Sequence, residues 1–339
     1  MNPHLRSTRG IILSLEQTIK HDIIGQDDLI RKLLITLFAS GHALIEWVPG
    51  LGKTKTVTTL AWVLGYDSKR ISFTPDLLPT DLTWVEIYRP QTGKFEIRKW
   101  PIFTNILLAD EINRTPPKVQ SALLEAMEER QVTIGNETLI LPSPFFVIAT
   151  ENPLEHEGTY PLPEAELDRF FMKIIITYPN PEDEKKIFSQ EKAVSKSPLT
   201  PENIKPKELV EIQDFIRKNI QVDKKIYDYI SDILEATRIR SGASTVWMMQ
   251  SEQKSLESRV WNLKPLLSYG ASTRAGLALI AWARVVALLE DRDYVTPDDI
   301  KYIAHDILRH RIGLSYEAIS LGVSTDQIIS EILGKVRIP

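Results

Sequence analysis

HALIEWVPGLGKT, residues 42–54, places a short apolar run before a Pro/Gly turn that ends in Lys53-Thr54. The run His42 to Glu46 predicts a buried strand, and a helix is expected from about Gly52 to Leu64. Strand, glycine turn, helix is the opening of a nucleotide-binding α/β unit. In a phosphate loop built from Pro49, Gly50, Leu51, Gly52, Lys53 and Thr54, backbone N–H groups wrap the phosphates. The Lys neutralises the β/γ oxygens and the Thr hydroxyl ligates Mg²⁺. The helix that follows points its N-terminus at the anion.

Working outward, NILLA (105–109) predicts a second buried strand that ends on Asp110-Glu111. A carboxylate at that strand end can hold Mg²⁺, and its neighbour can polarise an attacking water. The same pair could instead cap a helix, and its distance from the phosphate loop favours the catalytic reading. A helix over about 117–130 follows, with Leu123, Leu124 and Met127 on one face. Gly135-Asn136 predicts the turn of a hairpin, and Phe145–Ala149 and Met172–Thr177 read as further strands. Upstream, residues 11–40 predict two helices separated by HDIIGQDD. Alternating strands and helices imply a mainly parallel sheet. Residues 181–206 are polar and Pro-rich and read as a linker, and 207–339 are largely helical by period. Residues 241–258 read as an exposed loop. Thr296, Pro297 and Asp299 form a helix start.

With 339 residues, the chain suits about two domains. Its 43% hydrophobic and 25% charged residues are ordinary for a globular protein, which excludes wholesale disorder. A net charge of -4 argues against a dedicated nucleic-acid binder. No run approaches the roughly 20 apolar residues of a membrane span, and the first residues lack the pattern of a signal peptide. The absence of cysteine excludes disulfides and thiol catalysis. A cytoplasmic location is the expectation.

Longer stretches carry a resemblance to the MoxR family of AAA+ ATPases over nearly the whole chain. They are IIGQ (23–26), PGLGKT (49–54), FTPDLLPTDLT (73–83), residues 101–133, ATENPLEHEGTYPLPEAELDRFFMK (149–173), YGASTRA (269–275) and residues 292–318. The resemblance implies an α/β AAA+ core, an αβα sandwich around a parallel sheet, followed by a smaller all-α lid. It implies a core over 1–180, with a helix-2 insertion at about 73–103 and a hairpin before sensor 1 at about 130–141, both facing the ring pore or the substrate. The lid is expected over 207–339. Ile24, Gly25 and Gln26 match the segment near adenine. Asn152 matches sensor 1, Arg169 the arginine finger that reaches a neighbouring subunit, and Arg274 sensor 2. Thr54 and Asp110 are the implied Mg²⁺ residues, and ATP the nucleotide. Thr273 stands where the family usually has Pro. Either arginine could equally serve structure: Arg169 by pairing with Glu166 or Asp168, Arg274 by capping the lid helix. Arg114 and Arg130 are weaker candidates for intersubunit contacts.

Trp47, Trp84 and Trp100 break the pattern, because the family usually has Gly at all three. At position 47, six residues before Lys53, a tight turn would favour glycine's freedom at positive φ. Drift would scatter such changes over many residue types. Glycine is scarce, 15 of 339 residues or about 4%, and recoding all seven Trp would bring it to about 6.5%, near the average. The pattern is the one expected if the gene uses UGA for glycine and was read with UGA as tryptophan. Peptide masses from the native source showing Trp at all three positions would refute it.

The implied function is an ATP-hydrolysing chaperone that remodels or matures client protein complexes or metal enzymes. It would work as a ring, a hexamer by family pattern, often beside a partner with a von Willebrand factor A domain. Two alternatives remain: a nucleotide-responsive scaffold with little turnover, and a DNA-acting AAA+ motor. The charge and the lack of a basic run in either hairpin count against the motor.

Overall fold

The computed structural model describes residues 3–47, 52–89, 94–99, 101–134, 137–152, 158–190, 204–238 and 261–339. The chain forms two compact units, one of Ser7–Phe170 with Ile174–Asp214, the other of Phe215–Pro339 with Met1–Arg6 and Phe171–Lys173.

Two helices, α1 (Pro3–Asp22) and α2 (Asp27–Phe38), precede strand β1 (Ala43–Trp47). Helix α3 (Lys53–Leu64) starts on Gly52 and ends on Gly65, both left-handed. Strand β2 (Ser68–Ser72), helix α4 (Pro79–Thr83) and an antiparallel hairpin of β3 (Trp84–Arg89) and β4 (Lys94–Lys99) follow. Next come β5 (Ile106–Asp110), helix α5 (Pro117–Glu129), and the hairpin of β6 (Gln131–Ile134) and β7 (Glu137–Ile140). The first unit is completed by β8 (Phe146–Glu151), α6 (Glu164–Leu167), β9 (Met172–Ile176) and α7 (Pro181–Gln190).

The central sheet runs β2-β5-β8-β1-β9, and β2–β5, β5–β8 and β1–β8 pair parallel. Strand β5 is buried at every position, as a strand covered on both faces must be. Leu123, Leu124 and Met127 of α5 pack with Leu107, Ala109 and Val147 of the sheet. The pairs Ser72 with Asp110 and Glu46 with Glu151 align the carboxyl ends of β2, β5, β1 and β8 along one edge. Ligands of open α/β sheets bind in the crevice outside such an edge.

Helix α8 (Pro206–Asn219) begins in the first unit and ends in the second, which then holds α9 (Lys224–Thr237), a small pair of strands, β10 (Leu267–Tyr269) and β11 (Gly313–Leu314), and helices α10 (Thr273–Leu289), α11 (Pro297–Leu308), α12 (Tyr316–Ser320) and α13 (Thr325–Lys335). The start expected at Thr296 is there: the Asp299 carboxylate accepts the Thr296 N–H at 2.8 Å and its hydroxyl at 2.9 Å, and Pro297 opens the helix.

The linker expectation is corrected in part. Residues 181–190 form α7, whose first turn is held by Asn180 accepting the Asp183 N–H at 2.9 Å. The boundary between units falls at 214/215, inside α8, rather than at 206/207. The loop expected over 241–258 lies outside the described residues, as does the Gly135-Asn136 turn.

His42 carries a pH prediction. It is buried at the start of β1 and its Nδ1 accepts the Val147 N–H at 3.0 Å. Burial, then the Arg130 charge, push its pKa from 6.5 down to about 3, against a smaller opposing contribution from the Met127 backbone. The unfolded chain therefore takes the proton first. The stability that rests on neutral His42 is fully present above about 6.5 and is lost as the pH falls toward about 3. The loss approaches about 1.4 kcal/mol per pH unit. Thermal melts at pH 7, 6 and 5 should fall more steeply for the wild type than for His42→Gln; parallel slopes would contradict this.

Candidate functional site

The site is assembled at the carboxyl edge of the sheet. Gly52, at φ 77° and ψ 29°, turns the chain into α3, and no side chain caps that helix among the described residues. Its first-turn N–H groups and positive dipole end are therefore available to an anion. Lys53 opens the helix and reaches Asp110 Oδ1 at 3.1 Å and Glu111 Oε1 at 3.6 Å. Thr54 is exposed beside it. Pro49, Gly50 and Leu51 lie outside the described residues.

Asp110 is the buried hub. Its Oδ1 accepts from Lys53 Nζ and, at 2.8 Å, from the Thr150 hydroxyl. Its Oδ2 accepts from Arg70 Nε at 3.2 Å and Nη2 at 2.6 Å. Burial opposes its charge, but the bonds from Thr150 and Arg70 and the Lys53 charge outweigh it and hold the carboxyl below the usual carboxylate range. Glu111 follows in the left-handed region, at φ 60° and ψ 50°. Such a conformation costs a non-Gly residue of order 1 kcal/mol or more. Its N–H is secured by the Thr150 oxygen at 3.0 Å, so one buried hydroxyl serves both acids. The Glu111 carboxylate also meets Arg114 Nε at 3.0 Å.

Asn152 follows the end of β8 and is buried. Gln26 is tied to the same helix as the loop lysine, its Oε1 accepting the Thr56 hydroxyl at 2.9 Å. Ile24 is half-buried next to Gly25, whose φ of 76° disfavours a side chain and where an added Cβ would meet Asp183 tightly, at 3.2 Å. Arg169 is held by Glu128 of α5, Nε to Oε2 at 3.1 Å, while Glu166 accepts from Ser121. Arg274 is exposed in the first turn of α10, in the other compact unit. The cap of that helix is Ser272, which accepts the Arg274 N–H. Arg130 reaches the Ser40 carbonyl at 3.3 Å, within its own chain.

Nothing in the sequence singles out Arg70 or Thr150. A lone Thr in an apolar run and a lone Arg in SKRIS give no motif, and only the strand register shows what they face.

Trp47 departs from expectation. It ends β1 in extended conformation and is absent from the positive-φ residues. The anticipated left-handed strain is therefore not there. The indole is fully buried, and its N–H finds no acceptor among the described residues. That orphaned donor costs about 1–3 kcal/mol. Trp282 in α10 shares both properties, whereas Trp62 is exposed. Trp84 lies in β3, paired with Lys99, and Trp100 lies outside the described residues.

Two family models match the chain: the ATPase family associated with various cellular activities over residues 42–172, and the AAA lid domain over 262–332. Chaperone MoxR1 of Mycobacterium tuberculosis is 42% identical, over 95% of this chain and 80% of that protein. The chain belongs to the MoxR family of AAA+ ATPases. Another MoxR relative, protein MoxR of Methylorubrum extorquens, is 29% identical over 91% of this chain and 90% of its own length. The crystal structure of a candidate ATPase from Cytophaga hutchinsonii is 43% identical and superposes with a TM-score of 0.86. It covers 99% of this chain and 97% of that one. Membership carries nucleotide binding with it. No helix among the described residues is long and apolar enough to cross a membrane.

Proposed function

We propose that this MoxR protein is a Mg²⁺-dependent ATPase that remodels or matures client protein complexes or metal enzymes. The observation that supports it most is the convergence of Lys53, Asp110 and Glu111 on one strand edge beside an uncapped helix. ATP would lie with its phosphates against Gly50–Thr54 and its base near Ile24 and Gln26. The donor set suits Mg²⁺, a hard cation that takes oxygen ligands: a Thr54 hydroxyl, and an Asp110 carboxylate kept ionised by its donors. Thr54 and Asp110 would hold it, and bound Mg²⁺ supplies charge neutralisation of the transferring phosphoryl group. Glu111 takes the proton of the attacking water, and Asn152 orients that water. Arg169 acts on the nucleotide of a neighbouring subunit, and Arg274 reads the nucleotide from the lid.

The ring is read as a hexamer from family pattern, working in the cytoplasm with a von Willebrand factor A domain partner and with no nucleic acid. The insertion and hairpin at 73–103 and 130–141 carry force to the client. Binding of a fluorescent ATP analogue tests the nucleotide site: Lys53→Ala should lose it by tenfold or more, and unchanged binding would remove the phosphate-loop assignment.

One observation favours a second reading, a nucleotide-responsive scaffold with little turnover. It is the buried Trp47 with its unpaired N–H at the entrance to the phosphate loop. The mass of the peptide spanning residue 47, from protein made in its native host, separates the two. Glycine there restores the loop and supports the ATPase; tryptophan moves the scaffold ahead until turnover is shown.

A further inference from the structure

We propose that Arg70 is a positioning residue for Asp110, fixing the carboxylate so that its other oxygen is available to the cation of a bound nucleotide. The inference rests on the ATPase reading above. Arg70 lies on β2, the edge strand of the sheet, opposite Leu108 in register, while Asp110 stands opposite Ser72. The two side chains are therefore diagonal neighbours one pleat apart, within the reach of a long side chain. Both Nε and Nη2 of Arg70 converge on Oδ2, at 3.2 and 2.6 Å, and neither engages Oδ1. Oδ1 belongs to Lys53 and Thr150.

This division of the two oxygens matters when the phosphates arrive. Lys53 has its own partner in the β/γ oxygens and leaves Oδ1. A carboxylate stripped of one partner would be free to rotate, and the grip on Oδ2 prevents it. Thr150 alone, a single hydroxyl that also holds the Glu111 N–H, cannot fix the carboxylate plane. A planar guanidinium can, because its donors lie in a rigid fork, whereas an ammonium is a rotating point charge. The Arg70 side chain is itself half-exposed, so its removal opens no core. Hydrogen bonds to the acids that hold a metal orient them, and losing one typically weakens metal affinity 10- to 100-fold.

The test is equilibrium binding of a fluorescent ADP analogue to the full chain while Mg²⁺ is titrated, for wild type, Arg70→Ala and Arg70→Lys. Arg70→Ala should raise the Mg²⁺ concentration that half-saturates the Mg²⁺-dependent tightening by about tenfold or more. It should leave affinity without Mg²⁺ unchanged, and Arg70→Lys should recover part of the shift. An unchanged Mg²⁺ midpoint would overturn the proposal, as would equal weakening with and without Mg²⁺. A lower midpoint would also overturn it, since Arg70 would then be a competitor of the cation. If the wild type binds no nucleotide, the ATPase reading itself falls; if it does and the variants titrate alike, only the role of Arg70 falls.

Discussion

Glu111→Gln is expected to bind ATP as the wild type does and to lose turnover by about a hundredfold or more, the range a general base contributes. The substitution is isosteric, so the backbone at φ 60° and its bond to Thr150 have no reason to change. What disappears is the basic oxygen. In the structure that carboxylate is shared between Lys53 at 3.6 Å and Arg114 at 3.0 Å. Phosphates that draw Lys53 away would release one of its oxygens for the water. Nucleotide binding and phosphate release measured on the same preparation check this. Unchanged turnover would remove Glu111 as the base, and lost binding would make it a structural residue.

Arg169→Ala should cut turnover by about a thousandfold, the lower end for an arginine finger, and only where subunits have assembled. Its ion pair with Glu128, near the C-terminal end of α5, lies within its own chain, with the side chain 29% exposed. Lys53, Asp110 and Glu111 converge on one another, and the ion pair on Arg169 is with none of them. That separation suits a residue acting on a neighbour's nucleotide. Phosphate release followed across a dilution series decides it. Equal loss in dilute monomer and in the assembly would argue against a role in trans.

How far the sequence exposed all this differs by element. The phosphate loop, β5 and the acid pair stand out because a fully buried strand is a near-continuous apolar run, and the turns after it carry residues of restricted chemistry. The helix start at 296–299 is legible for the same reason. Helix α7 reads as linker in the sequence, although Asn180, Pro181 and Asp183 form a proper start, because an exposed polar helix lacks the apolar period that marks the rest. Strand β2 leaves no signal in the sequence: as an edge strand it buries only Ile71, so no alternation shows, and nothing marks Arg70. Thr150 falls just past the strand expected over 145–149, and nothing there marks it as the hydroxyl joining two acids, since pairing across strands is invisible in one dimension. Trp47 was expected to strain the backbone; the strand simply continues onto it, and the penalty is instead the indole N–H with no acceptor.

The most direct test is steady-state phosphate release from Mg-ATP by the wild-type chain, over concentrations that span its assembly. Release should require Mg²⁺, with a rate per chain that climbs as subunits associate. ATP binding without phosphate release at any concentration would contradict the ATPase reading and leave the nucleotide-responsive scaffold in its place.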